Sequence, residues 1–539
     1  MNQHHKVNLL DLPNEILFLI LKKLNNVDVL YSLININNQR LNIIAQHQIF
    51  TNNLNFSSIL QSTNKISSTI LNRLCKSILP RINDKIKSLT IESIYMKHIL
   101  IVGHYPNLTQ LQILNFNQET ILHDFFDDSS FKHNIKQQIT NLTLINNENN
   151  IDIEPKDYTK NVYANILTYF KNLKYLDIVV PYIQGFFYGP IIAYPALSLY
   201  DLSPTIFSSS TLTKLSINVK HLNDVYTLLD GRLIQLNILI VHIEHISSWL
   251  PTSYSMDSLY NLKCFSLTCY NITGEYDETV LSFIRRMLHL EELTLIFHIS
   301  GRSILKSAAD FDNKILIDME QLHRFIFYIE SIEEVNDLIV PISISDIEQS
   351  FTNIKYGQVA CMIDYLDSSS ILYRIFSLPT QFNYLDKVTN NIPNIIFNSV
   401  TYLKLQDKNP FKHEFFVRLQ RSFPNVKHLS ISNIQQPYWR CNERYLLEKD
   451  WCSIIEFSHP VVLDVKHAHF YYLEHFLNET KTYLPCLTEL KVNYDKLKNI
   501  TENFTKDEMR RNCSRVQQIF VERPIVYAEY VYRFFPSLL

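Results

Sequence analysis

Glycine is scarce in this chain of 539 residues. It occurs 7 times, whereas average usage is roughly 7 per cent. Neither of the phosphate-cradling motifs, G-x-G-x-x-G and G-x-x-x-x-G-K-[ST], can be built from so few glycines. The G-x-S-x-G pattern of a nucleophile elbow is absent as well. The sequence therefore argues against a glycine-built nucleotide site and against a hydrolase of the nucleophile-elbow type.

An excess of one charge is also lacking. Lys and Arg number 50 against 53 Asp and Glu, the formal net charge is −3, and the basic residues form no long runs. Binding to nucleic acid or to an anionic membrane is therefore not expected. The 8 cysteines are scattered without a C-x-x-C pair, which indicates buried free thiols in a reducing compartment. No secretory leader is visible at Met1, so we expect a cytoplasmic or nuclear protein.

One uncharged stretch, Ile178 to Tyr200, has the length of a membrane span. It contains a formal G-x-x-x-G motif from Gly185 to Gly189. Three prolines interrupt the stretch, however, and each would break a helical hydrogen-bond ladder. We therefore predict no membrane span but a long apolar loop, inserted at about residues 179–205. An exposed loop of this kind is a natural partner-contact site.

A short phrase recurs from residue 86 onwards: an apolar residue, two others, an apolar residue, one other, and a third apolar residue. The central apolar positions are Leu89, Leu111, Leu142, Leu176, Leu215, Leu239, Phe265, Leu293, Phe325, Leu403, Leu429, Leu490 and Ile519, with a further candidate at Leu463. Between Leu89 and Phe325 the steps run from 22 residues (Leu89 to Leu111) to 39 residues (Leu176 to Leu215). The wider gaps, at about residues 330–400 and 434–484, are long enough to contain further units.

Each phrase predicts a short strand whose alternate residues face a core. Apolar residues at helical spacing lie between phrases, as at Phe411, Phe415, Phe416 and Leu419. Alternating strands and helices predict parallel strands and right-handed connections. Since neither element buries its apolar face alone, neighbouring units must stack. The sequence therefore predicts an α/β solenoid with parallel strands on the concave side and helices on the convex side.

This pattern resembles the leucine-rich repeats, whose period is about 20–29 residues. It departs from them because no regular Asn follows the strand. We therefore expect irregular leucine-rich repeats over residues 81–539. A generic α/β domain with leucine-rich strands is the alternative.

The N-terminal residues predict three short helices. Apolar residues recur at helical spacing behind Pro13, and proline suits a first helical position. Asp28 is the expected N-cap of a second helix, and Leu41, Ile44 and Ala45 mark a third. A segment of about 40 residues is near the lower size limit for a self-sufficient core. It must therefore pack against the rest of the chain or against another protein.

The order of these residues resembles an F-box over about residues 9–50. The match runs Leu12-Pro13, Glu15-Ile16-Leu17, Ile20-Leu21, Leu24, Asp28-Val29-Leu30, Leu33-Ile34 and Arg40-Leu41. It departs from the family near Arg40, where an aromatic residue is common. The resemblance implies docking onto the Skp-type adaptor of a cullin–RING ubiquitin ligase. The docking residues it implies are Leu12, Pro13, Ile16, Leu17, Ile20, Leu21, Leu24 and Leu30.

A sheet in this arrangement would turn the residues between its core positions into a groove. Those residues are Tyr175, Asp177, Lys214, Ser216, Asn218, His242, Glu292, Arg324, Tyr328, His428, Ser430, Glu489 and Lys491. Their mixture of aromatic, hydroxyl and charged groups suits recognition of a target protein. A plain solvated sheet face is the alternative for each of them.

These expectations combine into an SCF-type substrate-recognition subunit without catalytic residues of its own. We predict a disordered tail at residues 1–8, the F-box at 9–50, a helical linker or cap at 51–80 and the repeats after it. No cofactor or metal is predicted, because histidine pairs such as His242 with His245, or His467 with His469, lack further ligands at recognisable spacing. The alternative is a non-enzymatic repeat scaffold, unrelated to ubiquitination, whose N-terminal helices act as a cap. A hydrolase within residues 330–400 has no positive support.

Overall fold

A computed structural model describes most of the chain. The described residues are 9–57, 68–116, 133–145, 157, 159–179, 182–184, 190–192, 197–200, 202–246, 261–273, 279–300, 315–334, 343–353, 355, 357–365, 370–435, 454–522 and 525–538. The predicted tail at residues 1–8 lies outside them. The chain forms two compact units: the first comprises Met1–Asn271, Glu275–Leu293 and Asp318–Gln321, and the second comprises Ile272–Gly274, Thr294–Ile317 and Leu322–Leu539.

The first unit alternates short helices with short strands. Its α-helices are α1 (Asn14–Leu21), α2 (Asn26–Leu33), α3 (Gln39–Ala45), α4 (Gln48–Thr51), α5 (Ser68–Arg73), α6 (Leu79–Ile82), α7 (Ser93–Val102), α8 (His133–Gln138), α9 (Ala164–Tyr169), α10 (Leu222–Leu228) and α11 (Leu281–Ile284). A 3₁₀ turn covers Leu9–Asp11, and π-helical turns cover Leu74–Ile78 and Thr159–Tyr163. Its strands are β1 (Asn53–Asn55), β2 (Ser88–Glu92), β3 (Gln110–Leu114), β4 (Asn141–Ile145), β5 (Tyr175–Val179), β6 (Tyr182–Gln184), β7 (Pro190–Ile192), β8 (Lys214–His221), β9 (Ile238–His245) and β10 (Cys264–Thr273).

Parallel pairing connects the strands of this unit in the order β1-β2-β3-β4-β5-β8-β9-β10. The central residues of the predicted phrases pair with one another in register. This apolar row is Leu54, Leu89, Leu111, Leu142, Leu176, Leu215, Leu239 and Phe265. None of these side chains is more than 2% exposed, so the row is one continuous strip of core.

The second unit contains more strands than helices. Its strands are β11 (Glu292–Ser300, whose first residues belong to the first unit), β12 (Arg324–Glu334), β13 (Gln358–Tyr365), β14 (Ser370–Leu378), β15 (Tyr384–Val388), β16 (Tyr402–Leu405), β17 (His428–Ile431), β18 (Ile455–Glu456), β19 (Val462–Asp464), β20 (Thr482–Tyr483), β21 (Glu489–Lys491) and β22 (Gln518–Phe520). Its α-helices are α12 (Ile344–Ser350), α13 (His413–Ser422), α14 (Phe470–Leu477), α15 (Tyr494–Ile500), α16 (Arg510–Cys513) and α17 (Glu529–Phe534), and a 3₁₀ turn covers Asp507–Met509.

A six-stranded parallel sheet of this unit has the order β15-β16-β17-β19-β21-β22. It repeats the in-register apolar row with Leu385, Leu403, Leu429, Leu463, Leu490 and Ile519. A short parallel pair, β18 with β20, accompanies it. Helices α13 and α14 precede β17 and β20 in the chain and bury aromatic residues such as Phe416 and Phe476.

The prediction of a mixed α/β fold with mainly parallel strands is confirmed. Every phrase identified in the sequence falls on a strand, including the one at Leu463. The expectation that all strands run parallel is wrong in two places. Strands β6 and β7 pair antiparallel, and β14 pairs antiparallel with both β12 and β13. Only residues 366–369 separate β13 from β14, which is too short a connection for the crossover that a parallel pair needs.

Smaller differences concern local elements. Pro13 occupies the N-cap of α1 rather than its first position. Asn25 caps α2 by accepting a 2.8 Å hydrogen bond from the Val27 N–H, so Asp28 lies inside the helix instead of capping it. Strand β1, within the segment predicted as a helical linker, was missed. Of the insertion at about 179–205, residues 180–181, 185–189, 193–196 and 201 lie outside the described residues. In the remainder β6 pairs with β7, and Leu199 is fully buried.

Candidate docking surfaces

The N-terminal helices α1 to α4 pack against the first strands of the first unit. The Asn26 side chain donates to the carbonyls of Ile49 (3.1 Å) and Asn53 (2.8 Å), which ties α2 to α4 and to β1. The Lys85 ammonium donates to the carbonyl of Gln46 at 3.2 Å. Strand β1 then pairs with β2. The helices are therefore continuous with the body of the unit rather than tethered to it.

One side of α1 forms part of this packing. Leu17 is 0% and Leu21 5% exposed, and Leu30 of α2 is buried with them. The Phe18 ring stacks on the buried Phe50 ring with centroids 5.8 Å apart and meets the His47 ring edge-on. These residues supply the inward face of the helical segment.

The other side of α1 carries large apolar side chains in solvent. Their exposed fractions are 42% for Ile16, 60% for Leu19 and 41% for Ile20, and Leu24, three residues beyond the end of the helix, is 53% exposed. Spacings of three and four residues from Ile16 place Leu19 and Ile20 on one face of the helix. Contiguous exposed apolar surface marks an interaction site more often than a solvated surface. We call these four residues the exposed apolar patch.

Arg40 fixes the chain segment that enters α1. Its guanidinium donates to the Asn14 side chain (2.8 Å) and to the carbonyls of Leu10 (2.8 Å) and Leu12 (2.5 Å). A planar guanidinium with several donors suits such a multiple contact. Arg40 stands at the position where the sequence departs from the F-box pattern, and sequence reasoning missed its role, because its partners lie about 26 to 30 residues away.

The structure divides the predicted adaptor-binding residues into two groups. Pro13 and three members of the exposed apolar patch, Ile16, Ile20 and Leu24, are exposed, and Leu12 is half-buried. The remaining predicted residues are buried in the chain's own core; they are Leu17, Leu21 and Leu30. A docking protein reaches the first group directly and the second only by rearranging the core.

In the first unit, polar residues form two rows on the sheet face opposite the apolar row. Pairing in register aligns Asn53, Ser88, Gln110, Asn141, Tyr175 and Lys214 in one row and Asn55, Thr90, Gln112, Thr143, Asp177 and Ser216 in the other. The eight residues on β1 to β4 are all uncharged amides and hydroxyls. We call those eight residues the neutral face.

Four predicted groove residues of this unit are thus neighbours. Tyr175 is 45% exposed, whereas Asp177, Lys214 and Ser216 are half-buried. His242 pairs with Asn218 further along β8 and β9, and burial lowers its pKa to about 4, so its imidazole is neutral at pH 7. Glu292 is half-buried at the start of β11.

In the second unit, His428, Ser430, Glu489 and Lys491 share one face of the six-stranded sheet. His428 aligns with Val462 and Glu489 in one row, and Ser430 aligns with Asp464 and Lys491 in the next. The His428 ring stacks on the Tyr402 ring with centroids 4.2 Å apart. Burial, reinforced by the Lys491 charge, lowers the pKa of His428 to about 3.

Two predicted groove residues of the second unit are not at the surface. Tyr328 is 1% and Ser430 3% exposed. Tyr328 packs its ring 4.3 Å from that of Phe382 and donates its hydroxyl to Glu330. The expectation that these two side chains are accessible to a partner is therefore wrong, whereas Arg324 is exposed.

A buried charge cluster lies among the antiparallel strands of the second unit. The fully buried Arg374 pairs through Nε with Glu330 at 2.9 Å and through Nη1 with Asp364, and Nη2 donates to the carbonyl of Asp386. The Thr389 hydroxyl donates to the other oxygen of Asp364. Since these carboxylates are enclosed and bonded, we assign the cluster a structural role.

Charged and metal-binding groups give no further site in the part of the chain described. Among these residues no group of three or more His, Cys, Asp or Glu is arranged to hold a metal ion. None of the helices defined there combines the length and apolar character needed to cross a membrane. His475 is buried among aromatic rings, including Phe416 at 4.9 Å, and burial lowers its pKa to about 3.

Comparison with known proteins gives no assignment. No protein-family model matches the chain, and no curated protein matches it either.

Proposed function

We propose that this chain is the substrate-recognition subunit of an SCF-type cullin–RING ubiquitin ligase. In this role the N-terminal helices are an F-box that docks the Skp-type adaptor, and the remainder is an irregular leucine-rich-repeat solenoid that holds a target protein. The observation that supports it best is the exposed apolar patch. Helix α1 already buries Leu17 and Leu21, yet it keeps Ile16, Leu19 and Ile20 in water, which a helix with only a packing role has no reason to do.

Burial of this patch by a partner would supply energy for docking. A fully buried Ile or Leu side chain contributes about 1.5–3 kcal/mol of transfer free energy, and half of each patch residue is already covered. Central apolar anchors of this kind carry most of the energy of protein–protein interfaces. The chain would then act without chemistry of its own, by holding a target close to the ubiquitin-carrying enzyme.

Adaptor binding tests the proposal. The double variant Ile16→Asp, Ile20→Asp places two charges in the patch, and we expect it to weaken binding to purified Skp-type adaptor at least a hundredfold. Ile234→Asp is the matched control, because Ile234 is 58% exposed elsewhere in the same unit. Leu12→Ala with Pro13→Ala should also abolish pull-down. The proposal is refuted if the natural chain does not bind the adaptor or if the patch variant binds as well as the control.

The second candidate is a non-enzymatic repeat scaffold whose helices cap the sheet. The continuity of α1–α4 with β1 favours it, since Phe50, Leu54 and Phe56 are all buried there. Deletion of residues 1–50 would expose this surface and lower the melting temperature under either role. The Ile16→Asp, Ile20→Asp variant distinguishes the adaptor-docking role from the cap role, because a cap should tolerate these surface charges whereas adaptor docking should not.

A further inference from the structure

The neutral face of the first unit, together with the end of β5, has the chemistry of a ligand site. Its eight amide and hydroxyl side chains carry no charge, and the 45% exposed ring of Tyr175 stands next in the same row. We propose that this surface binds an extended, uncharged, β-1,4-linked oligosaccharide, with Tyr175 as the platform on which one sugar ring stacks. The site does not depend on the ligase role; if both hold, the target is a glycan-bearing protein.

Charge separates this ligand class from the others. Proteins and nucleic acids present ionised groups, and the eight side chains of the neutral face offer them no counter-charge. The charged residues on this side of the sheet, Glu92, Asp177 and Lys214, lie at the border of those eight. Amide and hydroxyl groups each donate and accept hydrogen bonds, which matches the hydroxyl groups that cover a neutral sugar. The Thr90 hydroxyl and the Gln112 amide oxygen already meet at 3.1 Å across two strands, so the groups are close enough to act together.

An unpaired oxygen indicates where the ligand would bind most tightly. Asp177 follows Tyr175 by two residues, on the same face of β5, and its Oδ1 is shielded from solvent without a hydrogen-bond partner. Leaving a buried acceptor unpaired costs about 1–3 kcal/mol. A sugar hydroxyl would donate to this oxygen while the neighbouring ring lies against Tyr175.

Strand spacing favours a glycan over a peptide. Neighbouring strands are about 4.8 Å apart, which is close to the length of one sugar unit in an extended β-1,4-linked chain. An extended peptide advances about 3.3 Å per residue, so its residues would not coincide with successive strands. A peptide strand also needs a free sheet edge for backbone pairing. Among the strands of the site β1 ends the sheet, whereas β2 to β5 each have a strand on both sides, and Tyr175 and Asp177 lie on β5, four strands away from that edge.

Titration calorimetry on the full chain tests the inference, with cellohexaose and chitohexaose as probes and an uncharged Asn/Gln/Ser/Thr dodecapeptide as the competing class. We expect saturable binding of at least one hexaose, weakened about tenfold or more by Tyr175→Ala and by Asp177→Ala, the equivalent of one lost contact. Tyr365→Ala is the matched control, since Tyr365 has the same 45% exposure in the second unit.

Three results would overturn the inference: no saturable binding of either hexaose, binding of the peptide alone, or equal weakening by Tyr365→Ala. Unchanged melting temperatures would show that the exposed-residue variants remain folded. Adaptor binding by Tyr175→Ala should equal that of the natural chain, so failure here and failure of the ligase proposal are separate outcomes.

Discussion

Replacing Arg374 by methionine should destabilise the second unit more than any surface substitution. Methionine is similar in length and fills the space, but it leaves Glu330 and Asp364 without their shared cation. The Arg374 side chain is 0% exposed, and those of its partners are 7% and 0% exposed. Water therefore cannot replace the lost guanidinium.

The expected loss in free energy of unfolding is about 3–5 kcal/mol, the usual cost of removing one partner from a buried ion pair. That is a large part of the about 5–15 kcal/mol that stabilises a typical domain. Most of the loss comes from the two carboxylates that remain without their cation. Adding Glu330→Gln and Asp364→Asn to Arg374→Met should therefore restore part of the lost stability.

Urea denaturation followed by circular dichroism measures the difference. Arg533→Met is the control, because Arg533 pairs with Glu529 on an exposed helix face and should lose no more than about 0.5 kcal/mol. A loss below about 1 kcal/mol for Arg374→Met, or a further loss in the triple variant, would contradict the reasoning.

The same cluster gives a pH dependence with a definite sign. Burial alone would raise the pKa of Glu330, but the His298 and Arg374 charges and the hydrogen bonds from Tyr328 and Arg374 hold it at about 2. Because the folded-state pKa lies below the usual value of 4.5, this stabilisation is complete above about pH 4.5 and is lost as pH falls towards 2. Arg374→Met should move that loss to higher pH.

Three further predictions concern other side chains. His475→Phe should make the free energy of unfolding less dependent on pH. The pKa of His475 in the fold is about 3, so its protonation in the unfolded chain costs about 2 kcal/mol of stability between pH 7 and pH 5. Urea titration at both pH values measures this difference. Asn512→Ala should cost about 2–3 kcal/mol, seen as a lower urea midpoint, since the Asn512 amide bonds three carbonyls and accepts from the Leu484 N–H. Arg40→Ala should increase hydrogen exchange at Leu12 and weaken adaptor binding, whereas Arg421→Ala on α13 should change neither.

The parallel part of the fold was predictable because a simple rule governs it. A leucine between polar neighbours, as at Leu89 or Leu403, marks a strand with one buried face, and the pairing then follows the same position from strand to strand. The helices between the strands were predictable from apolar residues at helical spacing. Nothing beyond local pattern was needed for these elements.

Strands β13 and β14 escaped prediction for a physical reason. Residues 371–377 are buried without interruption, so no alternation of polar and apolar residues marks the strand. Arg374 within it reads as a solvent-facing residue until its carboxylate partners are known. Prediction of the docking surfaces from the sequence has a similar limit. The apolar stripe of α1 was evident from the sequence. Which of Ile16 and Leu17 points outward, however, depends on what packs against the helix.

The in-register leucine row also bears on how this chain tolerates insertions and deletions. Lengthening a connection leaves every leucine opposite its neighbour, and doubling a loop costs only about 0.6 kcal/mol in closure entropy. One residue added between Leu215 and Ile217 would instead move the following side chains of that strand to the opposite face of the sheet. Steps as unequal as 22 and 39 residues between neighbouring leucines of the row can therefore coexist in one sheet, and genetic change in length should accumulate between the strands and be excluded from within them.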